Sequence, residues 1–277
     1  MSSTSSVLYD APGPRAKARY RAFGVLSALG IAGLLWYVYV QLNDAGQFSS
    51  ALWAPFEYTA VQQRILDGLL NTLEAFGLAA VFSLLLGALL AAGRLSEHKA
   101  VRSVATAIVQ FFRAMPLVIL IFGLYAAFFT AQPLIALVLG LTLYNGAVQA
   151  EIIRGGINAV PRGQAEAGYA LGLRKSQVMF TILVPQAVRS MLPAIIGQLV
   201  VTLKDTSLGI IISLNELLYM GKLIASNTST PQGYPYIPVL LVIAPIYIAL
   251  CLALTALAKW IEARGRRGAN RRTPAAA

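Results

Sequence analysis

The stretch PRGQAEAGYALGLRKSQVMFTILVP, residues 161–185, separates two long apolar runs and decides how the rest of the chain is interpreted. It is too polar to cross a bilayer, yet its Ala, Glu, Tyr and Leu residues are common in helices. Gly172 can adopt the positive φ that ends a helix, and a second amphipathic run begins at Arg174. The stretch therefore predicts a short helix, a glycine turn and a second helix that leads back to the membrane.

The composition around this stretch is that of an integral membrane protein. The chain has 277 residues, of which 57% are hydrophobic and 12% charged, and its mean hydropathy is +0.68. Soluble domains carry about 25% charged residues. The single cysteine, Cys251, lies in an apolar run, which excludes an internal disulfide and a cysteine-based metal site. The sequence lacks a GxxxxGK(S/T) phosphate loop, so this chain is not expected to bind ATP itself. We expect no catalytic residue, metal or cofactor in it.

Six apolar runs are long enough to span the membrane, since a helix rises about 1.5 Å per residue and the hydrocarbon core is ~30 Å thick. They cover residues 23–42, 69–93, 105–129, 134–153, 186–212 and 237–260. Pro116, Pro193 and Pro245 interrupt the third, fifth and sixth runs, which is tolerated where the freed backbone groups find partners. We predict an all-α integral membrane protein with about six transmembrane helices.

The distribution of basic residues predicts the orientation. Most of the 22 Lys and Arg fall in the two tails and in residues 94–102 and 154–189, whereas the opposite side has only Arg64 and Lys222. Cytoplasmic loops carry an excess of Lys and Arg, so both termini and the polar stretch should be cytoplasmic. The net charge of +11 thus belongs to membrane flanks, with anionic lipid as a secondary contact, and nucleic acid is excluded as a partner.

The chain divides into four parts on this basis. Residues 1–22 are expected to be a disordered basic cytoplasmic tail. Residues 23–66 hold an extra first transmembrane helix and an outer interfacial loop, and residues 67–261 form the transport domain with its coupling loop at 161–185. Residues 262–277 form a second basic cytoplasmic tail.

Three segments resemble a known family, the ABC-transporter permeases of polar amino-acid (histidine/glutamine/glutamate) importers. They are QAEIIRGGINAVPRGQAEAGYALGL (149–173), VPQAVRSMLPAIIGQLVVTLKDTSLGIIISLNEL (184–217) and FFRAMPLVI (111–119). The first contains the spacing of the family's "EAA" loop, and the resemblance covers roughly residues 69–260. It implies the type I ABC importer permease (MetI-like) fold with cytoplasmic coupling helices. Gly168 stands where the family usually has alanine, which should loosen the short helix by up to ~1 kcal/mol.

The resemblance also implies a function. The chain would be a permease subunit of an ATP-driven importer in a bacterial cell membrane, with glutamate or a related amino acid preferred. Its partners would be ABC ATPase subunits, which bind the ATP, a second permease subunit and an extracellular substrate-binding protein. The ATPase-coupling residues carried over from the family are Glu166, Ala167, Gly168, Ala170, Leu171 and Gly172, with Glu166 holding the short helix and the small residues filling a groove on the ATPase.

The segment LKDTSLG contains the first substrate-path candidates. Lys204 and Asp205 lie within an apolar run, where an ionisable group costs about 2.5–3.5 kcal/mol and normally faces a partner or a water-filled path. With Thr206 and Ser207 they could bind the two charges of an amino acid if the helix unwinds locally. The alternative is that Lys204 extends outward and Asp205 caps the next turn.

The remaining candidates lie near the third and fourth runs. Glu151 could pair with Arg154 at i, i+3 as a helix-end ion pair, or contact substrate. Arg113 could attract a substrate carboxylate or bind carbonyl groups freed by a proline. Asn145 and Gln149 could line the same cavity or hydrogen-bond a neighbouring helix.

Three other classes of protein remain as alternatives. A secondary transporter would need no ATPase and would be expected to show inverted repeats, which the sequence does not display. A passive channel would conduct without ATP or a binding protein. A purely structural scaffold would tolerate the loss of Lys204 and Asp205.

Overall fold

A computed structural model describes the backbone of residues 13–270 and the side chains of residues 13–260. The α-helices are α1 (Pro14–Asp44), α2 (Thr59–Arg94), α3 (Lys99–Ala114), α4 (Leu117–Phe128), α5 (Pro133–Asn158), α6 (Arg162–Ala170), α7 (Lys175–Gln177), α8 (Val184–Asp205), α9 (Leu217–Asn227) and α10 (Tyr236–Asn270). Between residues 13 and 270 the chain forms no β-strand. The predicted all-α fold is confirmed.

Helix α1 is long and apolar, but it buries none of its residues against the described part of the chain. It begins at Pro14, which fits the first turn of a helix, and the Ala, Arg and Lys residues that follow favour helix. Residues 14–22, which the sequence assigned to the basic tail, form the first turns of this helix. Residues 1–12 and 271–277 of the two predicted tails lie outside the described residues.

The outer loop that follows α1 folds back onto the bundle. It forms two short 3₁₀ turns, Ser50–Leu52 and Ala54–Glu57, in which Leu52 and Pro55 are buried. Phe56 packs beside the α9–α10 contact.

The helix pair α2–α5 forms the centre of the bundle, and small residues allow the two helices to approach closely. A Cβ added to Gly87 would lie 2.6 Å from the Cβ of Gln149, so the pair tolerates no larger side chain there. Small residues play this part in membrane helix packing because burial against lipid supplies little driving force. One apolar cluster, with Ala79 and Leu137 among its members, lies towards the start of α5, and another, with Leu90 and Ala150, lies towards its end.

The predicted third span, residues 105–129, is not one continuous helix. It is split into α3 and α4, which meet at an angle of 97°. Pro116 lacks the N–H that would continue the hydrogen-bond ladder, and the residue before it, Met115, is extended at φ −77° and ψ 130°. Among residues 13–270, five helices are long and apolar enough to cross a membrane, or six if the bent pair counts as one span.

The predicted fifth span is preceded by helical residues and followed by a tighter turn. A π-helical segment, Val178–Leu183, joins α7 to α8 and makes the helical run nearly continuous from Lys175. After Asp205 the chain tightens into a 3₁₀ segment, Thr206–Ile212, and then turns through Ser213, whose φ of 56° is left-handed. Helix α9 follows and packs with α10 around Ile224 and Ile243.

Candidate functional site

The coupling loop contains the predicted helix and glycine turn. Helix α6 ends at Ala170, and Gly172, two residues further on, has a φ of +79°. The N–H of Gly172 donates to the carbonyl of Tyr169 (2.9 Å), and that of Leu173 donates to the carbonyl of Gly168 (3.2 Å). This pair of bonds is the Schellman motif, which satisfies carbonyl groups left over at a helix end. The short helix and glycine turn predicted from Gly172 are present, and we call this helix and turn, residues 162–173, the elbow.

Gly168 has a different role from the one expected. It is the only buried residue of α6, and a Cβ there would lie 2.8 Å from Ile182 Cδ1 and 2.9 Å from Val178 Cγ2. Both neighbours belong to the π-helical segment, so the glycine lets α6 lie directly on it. The departure from alanine therefore permits a close contact, besides lowering the local helix propensity.

The outer surface of the elbow is apolar and has no partner within the described chain. Leu171 is 82% exposed, and Ala167, Tyr169 and Ala170 on the same short helical segment are also exposed. Exposed apolar patches of this kind mark sites where another protein or a membrane binds. We call Ala167, Tyr169, Ala170 and Leu171 the elbow patch; sequence reasoning did not single out Tyr169 as a site residue.

Polar contacts fix the coupling loop to the end of the bundle. The ammonium group of Lys175 pairs with Glu97 in the α2–α3 turn, and this hydrogen bond holds the pKa of the Glu97 carboxyl below its usual range. Gln186 donates to the side chain of Gln164 (3.3 Å) and so connects α8 with α6. The loop is thus attached on both sides to helices that enter the membrane.

A cluster of arginines surrounds Glu151 at the same end of the bundle. Glu151 pairs with Arg94 at the end of α2 and with Arg154 one turn further along α5. Arg113 at the end of α3 lies 3.9 Å from the same carboxylate. The predicted ion pair of Glu151 and Arg154 is present, and it is part of a larger contact that joins α2, α3 and α5.

Two amide side chains of α5, those of Asn145 and Gln149, hydrogen-bond the neighbouring helix α8. Asn145 accepts a 2.7 Å hydrogen bond from Gln198, and Gln149 donates to the carbonyl of Ile195 at 3.4 Å. Both residues are fully buried. Within the described residues, Asn145 Nδ2 and Gln149 Oε1 lack a hydrogen-bond partner, so each amide retains one unused polar atom at the α5–α8 contact.

Helix α8 extends through Lys204 and Asp205 and then tightens into the 3₁₀ segment at Thr206. Lys204 is exposed, Asp205 is half-buried and Thr206 is buried. The hydroxyls of Thr206 and Ser207 donate to the carbonyls of Leu203 (2.6 Å) and Lys204 (2.8 Å) and so hold the junction between α8 and the 3₁₀ segment. Asp205 occupies the cap position of that segment without a side-chain hydrogen bond to it.

Sequence reasoning did not single out Glu216 as a functional or structural residue. Its side chain is fully buried and accepts hydrogen bonds from the N–H groups of Leu218 (2.8 Å) and Tyr219 (2.7 Å) at the start of α9. Burial raises the pKa of this carboxyl because the charged form loses its hydration. The sequence did contain a feature that could have indicated this role: an acidic residue directly before an apolar helical run, which is a pattern of helix starts.

These features define a helical membrane subunit with a protruding coupling loop, and comparison with known proteins gives its family. Residues 83–267 match the family described as the binding-protein-dependent transport system inner membrane component, and the chain belongs to that family. The resemblance predicted from the sequence is confirmed.

Relatives and solved structures agree with this assignment. The chain is 39% identical over 239 residues to the glutamate transport system permease protein GluD of Corynebacterium glutamicum, covering 83% of this chain and 86% of that protein. It is 31% identical over 202 residues to the probable glutamine ABC transporter permease protein GlnP of Bacillus subtilis, covering 72% of this chain and 92% of that protein. A crystal structure of an amino acid ABC transporter with histidines superposes with a TM-score of 0.68 at 29% identity, covering 78% of this chain and 100% of that one. The methionine ABC transporter MetNI shares the fold, with a TM-score of 0.60 at 20% identity over 76% and 98% of the two chains.

Proposed function

We propose that this chain is a permease subunit of an ATP-driven importer of polar amino acids, with glutamate or a closely related amino acid as substrate. Two permease subunits would enclose the path, two ATPase chains would supply the energy, and an extracellular binding protein would deliver the substrate. The ATP is bound and hydrolysed by the ATPase chains. The two relatives reported above, a glutamate transport system permease protein and a probable glutamine ABC transporter permease protein, support this substrate class.

The observation that carries the proposal is the elbow patch. An apolar surface stands exposed on a short helix that is firmly capped at Gly172 and attached to the bundle through Lys175 and Gln186. When a docked subunit moves, such an element can move with it as a rigid body and so displace α8. The positive-inside distribution supports placing this element and both termini in the cytoplasm of a bacterial cell.

The substrate path is proposed to run beside α5 and the junction of α8 with its 3₁₀ segment. The candidates are Lys204, Asp205, Thr206, Ser207, Asn145, Gln149, Arg113 and Glu151. The unused polar atoms of Asn145 and Gln149 support this location, because they would gain partners if α5 and α8 separated around a hydrated ligand. The Glu151–arginine contact at the cytoplasmic end would then close the path from inside.

Reconstitution of the complete transporter tests the function. Proteoliposomes containing this permease, its ATPase and its binding protein should accumulate labelled glutamate or a related amino acid only when ATP is enclosed. Uptake driven by an ion gradient without ATP would identify a secondary transporter, and ATP-independent equilibration would identify a channel. Asp205→Asn should lower the uptake rate at unchanged assembly; an unaltered rate would remove Asp205 from the path.

A further inference from the structure

Helix α3 carries three distinct surfaces around its circumference. Ala105 and Val109 are buried against α2 and α5. A second surface is apolar but exposed and consists of Val101, Val104, Ile108 and Phe111. The third is polar and consists of Lys99, Arg102, Ser103, Thr106, Gln110 and Arg113, which recur every three to four residues and so form one stripe. At roughly 100° per residue, the polar stripe and the exposed apolar surface lie on opposite sides of the helix.

The position of α3 in the fold explains this arrangement. Helix α4 runs beside α5, where a Cβ on Gly140 would lie 2.6 Å from Ile121. Because α3 meets α4 at 97°, it lies across the bundle rather than along it. Val109 contacts the last turns of α2 and the second half of α5, and Arg113 approaches Glu151. Helix α3 is therefore located at the end of the bundle that holds the coupling loop.

A strongly amphipathic helix in this position is expected to lie in the membrane interface. Its exposed apolar side then contacts acyl chains, while the opposite side lies among the headgroups. The stripe carries three basic residues, Lys99, Arg102 and Arg113, and α3 contains no acidic residue. Arg113 faces Glu151, so Lys99 and Arg102 form the outward cationic end, with Arg102 also donating to the carbonyl of Ser96 (3.0 Å).

We propose that the polar stripe of α3 binds the phosphate groups of anionic phospholipids and that this contact holds α3 across the end of the bundle. Charge complementarity favours this partner, since basic residues near a membrane attract anionic headgroups. A protein-binding surface would be enriched in aromatic and apolar residues, and the stripe has none. The hydroxyl and amide groups of Ser103, Thr106 and Gln110 add hydrogen-bond donors for phosphate oxygens along the same line.

Lipid retention tests the proposal directly. The full chain is placed in nanodiscs of mixed phosphatidylcholine and phosphatidylglycerol, and the lipids that remain bound after mild delipidation are quantified by mass spectrometry. The wild type should retain phosphatidylglycerol preferentially, and Lys99→Gln/Arg102→Gln should weaken that preference by roughly 30-fold, from about 1 kcal/mol per basic residue. The matched control is Arg162→Gln/Arg174→Gln, which removes the same charge from exposed positions of the coupling loop and should change the preference far less. No preference in the wild type, or an equal loss in the control, would overturn the proposal.

A second measurement distinguishes the lipid site from the proposed transport function. The lipid site itself does not depend on that function; only the effect of lipid on transport depends on it. In proteoliposomes of the complete transporter, uptake by the wild type should increase several-fold when phosphatidylglycerol is included, and Lys99→Gln/Arg102→Gln should lose that increase. Absence of uptake in every lipid, with the lipid preference intact, would refute the transport function and leave the lipid site standing. Loss of ATPase co-purification with an unchanged lipid preference would show that the stripe binds the ATPase instead, and would overturn the lipid site.

Discussion

The phenolic hydroxyl of Tyr247 donates a 2.7 Å hydrogen bond to the carboxylate of Glu216, which is fully buried. The same carboxylate caps the first turn of α9, and the neighbouring N–H of Leu217 donates to the hydroxyl of Thr72 in α2 (3.0 Å). One acidic residue thereby joins α10 to α9, beside a contact between α9 and α2. A buried carboxylate is stable only when its oxygens are hydrogen-bonded in this way.

Tyr247→Phe should destabilise the protein because it removes one of these donors. A hydrogen bond to a charged group contributes about 1.5–3 kcal/mol, so the melting temperature in detergent should fall measurably. Glu216→Gln should cost more, since one amide oxygen cannot replace two carboxylate oxygens that accept three bonds. In the double variant the two effects should be less than additive. Tyr58→Phe, at a position 65% exposed, is the control and should leave the melting temperature unchanged; full additivity would contradict the direct contact.

Two glycines of the coupling loop should respond differently to alanine. Gly172→Ala forces an L-residue into a left-handed conformation, which costs about 1–2 kcal/mol locally and should disturb the elbow. Gly168→Ala should push α6 away from Val178 and Ile182. Both should reduce ATP-driven uptake with little loss of membrane insertion. Gly163→Ala adds a methyl group to open space and should behave as the wild type; equal uptake in all three variants would show that the elbow geometry is unimportant.

A charge in the elbow patch should weaken binding of the ATPase. Leu171→Glu places a carboxylate on the most exposed apolar residue of the patch, where docking would have to remove its hydration. We expect several-fold lower co-purification of the ATPase and correspondingly lower uptake. Ser176→Glu adds the same charge at an exposed polar position of the loop and is the control. Undiminished co-purification of the Leu171 variant would locate the docking surface elsewhere.

The amide contact between Asn145 and Gln198 should stabilise the α5–α8 pair. Gln198→Ala leaves a buried carbonyl oxygen of Asn145 unpaired and should lower the unfolding free energy by about 0.6–1.7 kcal/mol, the range for hydrogen bonds between membrane helices. Unfolding in a denaturing detergent measures this change. If Asn145 also lines the path, Asn145→Ala should raise the substrate KM, whereas a change in stability alone would restrict it to helix packing.

Much of this architecture could be predicted from the sequence because it depends on local rules. Hydropathy over some 20 residues identifies helices that can cross a bilayer, and Gly172 identifies the end of the short helix. The same kind of rule could not give the shape of residues 105–129, where total hydropathy suggested one span but Pro116 divides the segment into α3 and α4, which meet at 97°.

The sequence by itself determined the membrane class of this protein, the position of most helices and the form of the coupling elbow, since these follow from propensities and hydropathy within a few turns of chain. Only the tertiary structure decided which residues meet across helices. It placed Glu216 next to Tyr247, Arg94 and Arg113 beside Glu151, Gln198 against Asn145, and Val178 with Ile182 in the space left open by Gly168. These contacts join residues far apart in the chain, and their geometry is set by how closely whole helices approach and at what angle they cross.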